Sequence, residues 1–154
     1  MHKVTRAALG MFLGLSFSGL AMTAEAEAPA TGLGQAWPNA VDVSLSPHWH
    51  VYVFVLNGVK YVQVNDLSGN VIGAVGTAGG QFITLPIGEG SQYVSTPQQR
   101  AAHTSSSEAA AATTIYRDSS TVVTATPQSD GATQLNVSTL SPCTDPSRCG
   151  GLNP

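Results

Sequence analysis

The chain has 154 residues, a net charge of −3, and only 10% charged side chains. That is enough for one small domain. With 6 Lys and Arg in total and no basic cluster, the balance argues against nucleic acid or an anionic membrane surface as a partner.

The first stretch, "MHKVTRAALGMFLGLSFSGLAMTAEAEA", has a basic start in Lys3 and Arg6, then an apolar run from Ala7 to Ala21 and a small-residue end. This is the shape of a secretory signal peptide. The run is shorter than the roughly 20 apolar residues of a permanent membrane anchor. Cleavage is expected after Ala24, with Ala26 as the other option, so residues 1–24 are assigned as leader. No cysteine stands at the cleavage region to carry a lipid. A periplasmic or secreted bacterial protein follows.

Large apolar and aromatic residues crowd between Trp37 and Tyr93. A β-domain is expected at 34–97. "WHVYVFVL", Trp49 to Leu56, is dense in β-branched and aromatic residues. Asn57-Gly58 follows, then "VKYVQVND". Two β-rich runs separated by Asn-Gly form a hairpin, because a type I′ turn needs positive φ at both turn positions. The turn sets the register: Leu56 faces Val59, Phe54 faces Tyr61, Tyr52 faces Gln63 and His50 faces Asn65. The opposite face carries Trp49, Val51, Val53 and Val55 against Lys60, Val62, Val64 and Asp66. It is mostly valine and is the expected buried side.

"NDLSGNV" reads as a tight turn with a glycine in the left-handed region. "VIGAVGT" is a third strand, where Gly73 and Gly76 either weaken it or admit something close. "AGG" turns the chain again, and "QFITLPI" is a fourth strand. Pro86 makes it an edge or ends it. The expected fold is all-β, a small antiparallel meander of about four strands with a largely disordered C-terminal tail. One sheet with a single apolar face is marginal alone. Its cover is "AWPNAVDV", part of the tail, or a second copy of the chain.

Residues 98–154 turn to Ala, Ser, Thr and Gln. "AAHTSSSEAAAATT" has little to bury against the entropy of ordering it. "TTIYRDSSTVVTATP" and "TQLNVSTL" are β-prone and could add strands, but their polar composition favours a mostly disordered tail. Cys143 and Cys149, an even pair in an exported chain, are expected to form a disulfide. A redox pair uses the narrower C-x-x-C, and zinc would need two more ligands nearby.

No chemistry-bearing motif is present: no G-x-S-x-G elbow, no H-E-x-x-H helix, no phosphate-cradling loop and no cofactor-binding motif. The meander's carboxylates are Asp66 and Glu89, which the hairpin register does not bring together. His103 lies in the low-complexity stretch, without a rigid scaffold to hold a triad. These absences argue against an enzyme. The candidate sites are therefore binding sites. His48 and His50 alternate with Trp49 and would lie about 7 Å apart on one face of a regular strand. Two imidazoles at that spacing suit copper or zinc, given a third ligand. Asn65 is a poor one, Asp66 points to the other face, and Asp42 is unplaced. Tyr52, Phe54 and Tyr61 beside them form an aromatic cluster suited to contact with another protein.

"SPHWHVYVFVLNGVKYVQVNDLSGNVIGAV…GGQFITLPIG" resembles a family of small exported proteobacterial proteins with no assigned activity. They share an S-P-x-W-H-V-Y-V-F hairpin, a Y-V-Q-V-N-D strand and an L-P-[IV]-G strand end. The resemblance covers residues 36–97 and implies an exported module. "YVQVNDLSGNVIGAV" is also similar to the strand-turn-strand ending of PepSY-type domains, to which modulation of peptidases is ascribed. Their preceding helix has no counterpart here. The expected function is a non-enzymatic exported binding or structural module, acting through protein–protein contacts or self-association. The alternative is a periplasmic copper- or zinc-binding protein using His48 and His50.

Overall fold

A computed structural model describes residues 29–102 and 110–140. The expected leader, His103 and the cysteine pair Cys143 and Cys149 lie outside the described residues. Those described are all-β: β1 His50–Leu56, β2 Val59–Asn65, β3 Val71–Ala78, β4 Gln81–Leu85, β5 Val94–Ser95, β6 Thr113–Arg117, β7 Thr121–Pro127 and β8 Thr133–Thr139. A single 3-10 turn, Ser91–Tyr93, precedes β5. The strands form two four-stranded sheets, ordered β1-β2-β3-β4 and β5-β8-β7-β6.

The first sheet is the expected meander. Asn57 and Gly58 take φ of 51° and 79°, and the hairpin pairs Leu56 with Val59 through to His50 with Asn65. In the next turn Asp66 Oδ1 accepts the Ser68 and Asn70 N–H groups at 2.8 Å, and Gly69 takes φ of 89°. Gly79-Gly80, both at positive φ, close β3 onto β4.

The second sheet corrects the expectation of a largely disordered tail over Thr113–Thr139. These residues form β6, β7 and β8, and β5 joins them by pairing parallel to β8. The physical reason is period two. Thr121, Val123 and Ala125 alternate inward along β7, and Leu135 and Val137 along β8. The alternate positions, Val122, Thr124 and Thr126 on β7 and Gln134, Asn136 and Ser138 on β8, are mostly polar. They lower the mean hydropathy without disturbing the strand, because a sandwich strand needs only one apolar face.

The valine face of the first sheet packs on this second sheet. One cluster joins Trp49, Val51, Val62, Val64, Val75 and Phe82 to Val94, Ile115, Val123, Ala125, Leu135 and Val137. The core thus draws on residues from both sides of position 97. At Gly73 the sheets approach closely: a Cβ there would lie 2.8 Å from Val94 Cγ2. Lys60 ties the β1–β2 hairpin to the β6–β7 turn by an ion pair with Asp118. Asp118 also accepts the Tyr116 hydroxyl and the Ser120 and Thr121 N–H groups, each at 2.8 Å.

Burial opposes ionisation of Asp118, but Lys60, the Ser120 N–H and the Tyr116 hydroxyl outweigh it and hold the carboxyl well below its ordinary value of 3.8. A depressed folded-state pKa gives stability that is present above the unfolded value and is lost as pH falls through and below it. Acid unfolding should therefore set in below about pH 4. Asp118→Asn should cost about 1–3 kcal/mol at neutral pH and flatten that acid limb, as read by denaturant melts across pH. An unchanged acid limb would exclude Asp118 as its source.

The outer face of the first sheet is buried too, contrary to the expectation that it is the less covered side. Tyr52, Phe54, Gln63 and Asn65 are all buried. The N-terminal segment crosses this face. Gln63 Oε1 accepts the Gly34 N–H at 2.6 Å, and its Nε2 donates to Gln35 O at 2.8 Å. Asn65 Nδ2 donates to Ala36 O at 2.7 Å and Gly69 O at 3.1 Å. Trp37 lies over Gly69, where a Cβ would stand 2.7 Å from the ring. Both suggested covers, "AWPNAVDV" and the tail, are in use, one on each face. Further on, the same segment turns a corner between the sheets. The Val43 N–H donates to Val51 O and the Leu45 N–H to Ile115 O, both at 2.8 Å.

Candidate functional site

His50 opens β1 and projects onto the outer face beside Tyr52. Its Nδ1 lies 2.7 Å from Asp42 Oδ2. Asp42 is placed by its antiparallel bridge to Tyr52, and its Oδ1 accepts the Val51 N–H at 2.9 Å and the Ser44 N–H at 3.0 Å. Burial works against its charge, yet the Val51 N–H, the His50 ring and the Ser44 N–H hold its carboxyl below the ordinary value. An ionised carboxylate only accepts, so Nδ1 of His50 carries the hydrogen and Nε2 is left as the second ring position. Trp37 meets the imidazole edge-on at 5.4 Å between ring centres, and Tyr52 stacks on it at 6.2 Å. Burial and the Asp42 charge raise the Tyr52 hydroxyl pKa.

His48 is placed differently. It is exposed, and its ring meets Trp49 edge-on at 5.9 Å. Trp49 belongs to the core between the sheets, whereas the neighbours of His50 lie on the outer side. Among the described residues, no group of three or more His, Cys, Asp or Glu side chains gathers as a metal site. Asp42, unplaced in the sequence, is the partner of His50 rather than a third ligand shared by both histidines.

The aromatic contact surface expected at Tyr52, Phe54 and Tyr61 is corrected. Phe54 is 1% exposed and Tyr52 is buried with it, while Tyr61 is half-buried. The exposed apolar side chains stand elsewhere. Trp37 tops the segment over the outer face, Val41, Val43 and Leu45 mark the corner, and Val55 and Leu56 end β1. The signal for the corner was present in "VDVSL": strict alternation, with Asp42 turned in to His50 and the apolar residues turned out.

Asp66 and Glu89, which the hairpin register holds apart, line one open polar cleft of about 350 Å³ with Asn70, Tyr93 and Thr133. The loop after β4 brings them together, through Glu89 N–H to Val71 O at 3.1 Å and Gly90 N–H to Ile72 O at 2.8 Å. A general acid–base pair needs two carboxyls with pKa values pushed apart. Burial tends to raise Asp66, but the Asn70 side chain and the turn N–H groups hold it below the ordinary value. Its oxygens already serve the turn, so its role is local structure.

The chain matches no protein-family model, no curated protein and no solved structure.

Proposed function

We propose that this chain is an exported, non-enzymatic β-sandwich module that works through contacts with other protein chains. One observation carries the reading. Among the described residues, five of the eight exposed large apolar side chains, Val41, Val43, Leu45, Val55 and Leu56, lie on the β1 side of the sandwich, at the corner and the hairpin end, while Trp37, Leu67 and Ile83 stand apart from them. Scattered single apolar residues are ordinary on a surface, but a run along one edge marks a contact site. The basic-then-apolar start of the chain supports export. Among the described residues, the oxygens of Asp66 are engaged by its own turn and Asp42 is engaged by His50 and backbone N–H groups, which supports binding over catalysis.

A second reading has its own observation. Asp42 orients the His50 ring as an outer carboxylate orients a metal-binding histidine. Copper or zinc would then be held by His50 Nε2 with His48.

Two experiments on the mature chain separate them. Photo-crosslinkers placed at Leu45 and Val55 in exporting cells should each yield protein adducts, whereas one at exposed Leu67 in the β2–β3 turn should not. Titration with copper or zinc should show only weak binding, unchanged in the His48→Ala and His50→Ala double variant. Absence of adducts, together with sub-micromolar metal binding that the double variant abolishes, would replace the first reading with the second.

A further inference from the structure

The cover on the outer face is held by its backbone. From Pro29 to Leu45 no residue is buried, and Gly34, Gln35, Ala36 and Trp37 are all exposed. Beneath them, Gln63 and Asn65 are 0% exposed. Their two side-chain amides form a closed set. Gln63 Nε2 donates to Asn65 Oδ1 at 2.8 Å as well as to Gln35 O, and Asn65 Nδ2 is shared between Ala36 O and Gly69 O. All four amide hydrogens are therefore in use. Toward the segment the pair meets one N–H, from Gly34, and two carbonyls, from Gln35 and Ala36.

This is recognition of a peptide backbone by buried side chains. The segment buries none of its own side chains, so hydrophobic burial contributes little to its hold. The hold rests on these bonds and on Trp37 seated over Gly69. A segment so attached opens locally, before the sheets do. The bridge of Thr31 to Asn39 moves with it and that of Asp42 to Tyr52 stays, which puts the hinge at Ala40 and Val41. Lifting it leaves two buried amides without partners on a face shared with Tyr52 and Phe54. Another backbone of the same form would restore those bonds.

We propose that the outer face is an acceptor site for a short peptide segment of another protein, with residues 31–39 as its resident occupant in the free chain. The occupant defines the ligand. It is uncharged, like Gln63 and Asn65 that hold it. A glycine donates its N–H, that glycine and the next two residues lie over the amides, and an aromatic ring follows to sit on Gly69. Glycine is needed because Gly34 takes φ of 89°. Space is not the reason, since a Cβ there would meet only Ile87, at 3.7 Å. The site lies off the apolar β1 side, so adducts at Leu45 and Val55 neither support nor contradict it.

The probe is the free peptide TGLGQAWPN with blocked ends, added to the full-length chain while hydrogen exchange of the Gly34 amide is followed. Without peptide, Gly34 should exchange at a lower free energy than Tyr52, with little urea dependence. Peptide at about 1 mM, comparable to the effective concentration of a tethered segment, should speed Gly34 exchange severalfold by displacing the strap. A peptide with valine at the second glycine should not. Gly34→Val in the chain strains the strap and leaves the groove intact, so the unaltered peptide should bind it about tenfold more tightly. Should Gly34→Val not fold, the exchange data on the unaltered chain decide alone. Gly34 exchange that tracks global unfolding, or that the peptide leaves unchanged, overturns the proposal. A dimer in sedimentation that excess peptide fails to dissociate gives the groove to a second copy and overturns it as well.

Discussion

Ending the chain after Pro97 is expected to abolish the fold. The truncated chain would keep β1 to β4, the part richest in large apolar residues, yet lose β6, β7 and β8. Trp49, Val51, Val62, Val64, Val75 and Phe82 would then face water instead of Ile115, Val123, Ala125, Leu135 and Val137. Each large side chain returned to water forfeits about 1.5–3 kcal/mol, and their sum exceeds the stability of a small domain. The lost ion pair between Lys60 and Asp118 adds to this. The expected readout is a shortened chain without near-ultraviolet dichroism or a cooperative thermal transition. A cooperative melt close to that of the full-length chain would mean that the first sheet is self-sufficient.

Phe54→Ala is expected to destabilise the chain by about 3–5 kcal/mol, and Val55→Ala by less than about 0.5 kcal/mol. The contrast is counter to the pattern of β1 itself. Val55 shares a face with the core residue Val51, while Phe54 shares one with His50 and Tyr52. Yet Phe54 is 1% exposed and Val55 is 66% exposed. The N-terminal segment seals the outer face through its bonds to Gln63 and Asn65, and the hairpin end extends beyond the cover of the second sheet. Urea melts of the two variants decide the point. A larger loss for Val55→Ala would show that the outer face is open and the segment is not seated on it.

The hairpin was fully legible. Asn57-Gly58 admits one turn family, and with it one register, so each of the pairings from His50 with Asn65 to Leu56 with Val59 follows from local chemistry. The meander was legible for the same reason, since glycine-bearing turns at Gly69 and at Gly79-Gly80 punctuate it. The second sheet was not, because its inward residues are few and its outward residues are mostly polar. Judged by average composition, such a stretch looks unable to fold. Judged by alternation along Thr121–Pro127 and Thr133–Thr139, it has one apolar face. The burial of Tyr52 and Phe54 was hidden for a different reason. It depends on Gln35 and Ala36 reaching Gln63 and Asn65, contacts 28 and 29 residues apart along the chain. The partnership of Asp42 with His50 spans only 8 residues, but it depends on the chain doubling back along β1. No local spacing encodes it, although the alternation of "VDVSL" marks Asp42 as the residue facing the opposite way from its neighbours.

The central structural claim is that the two sheets form one cooperative unit. Truncation alone cannot separate loss of packing from other effects of shortening the chain. Amide hydrogen exchange on the intact chain, followed through sub-denaturing urea, does so. The paired amides of Tyr52 and Gln63 in the first sheet, and of Thr124 and Asn136 in the second, should converge on one opening free energy with one urea dependence. Exchange of Thr124 and Asn136 at a much lower free energy, insensitive to urea while Tyr52 and Gln63 stay protected, would contradict it.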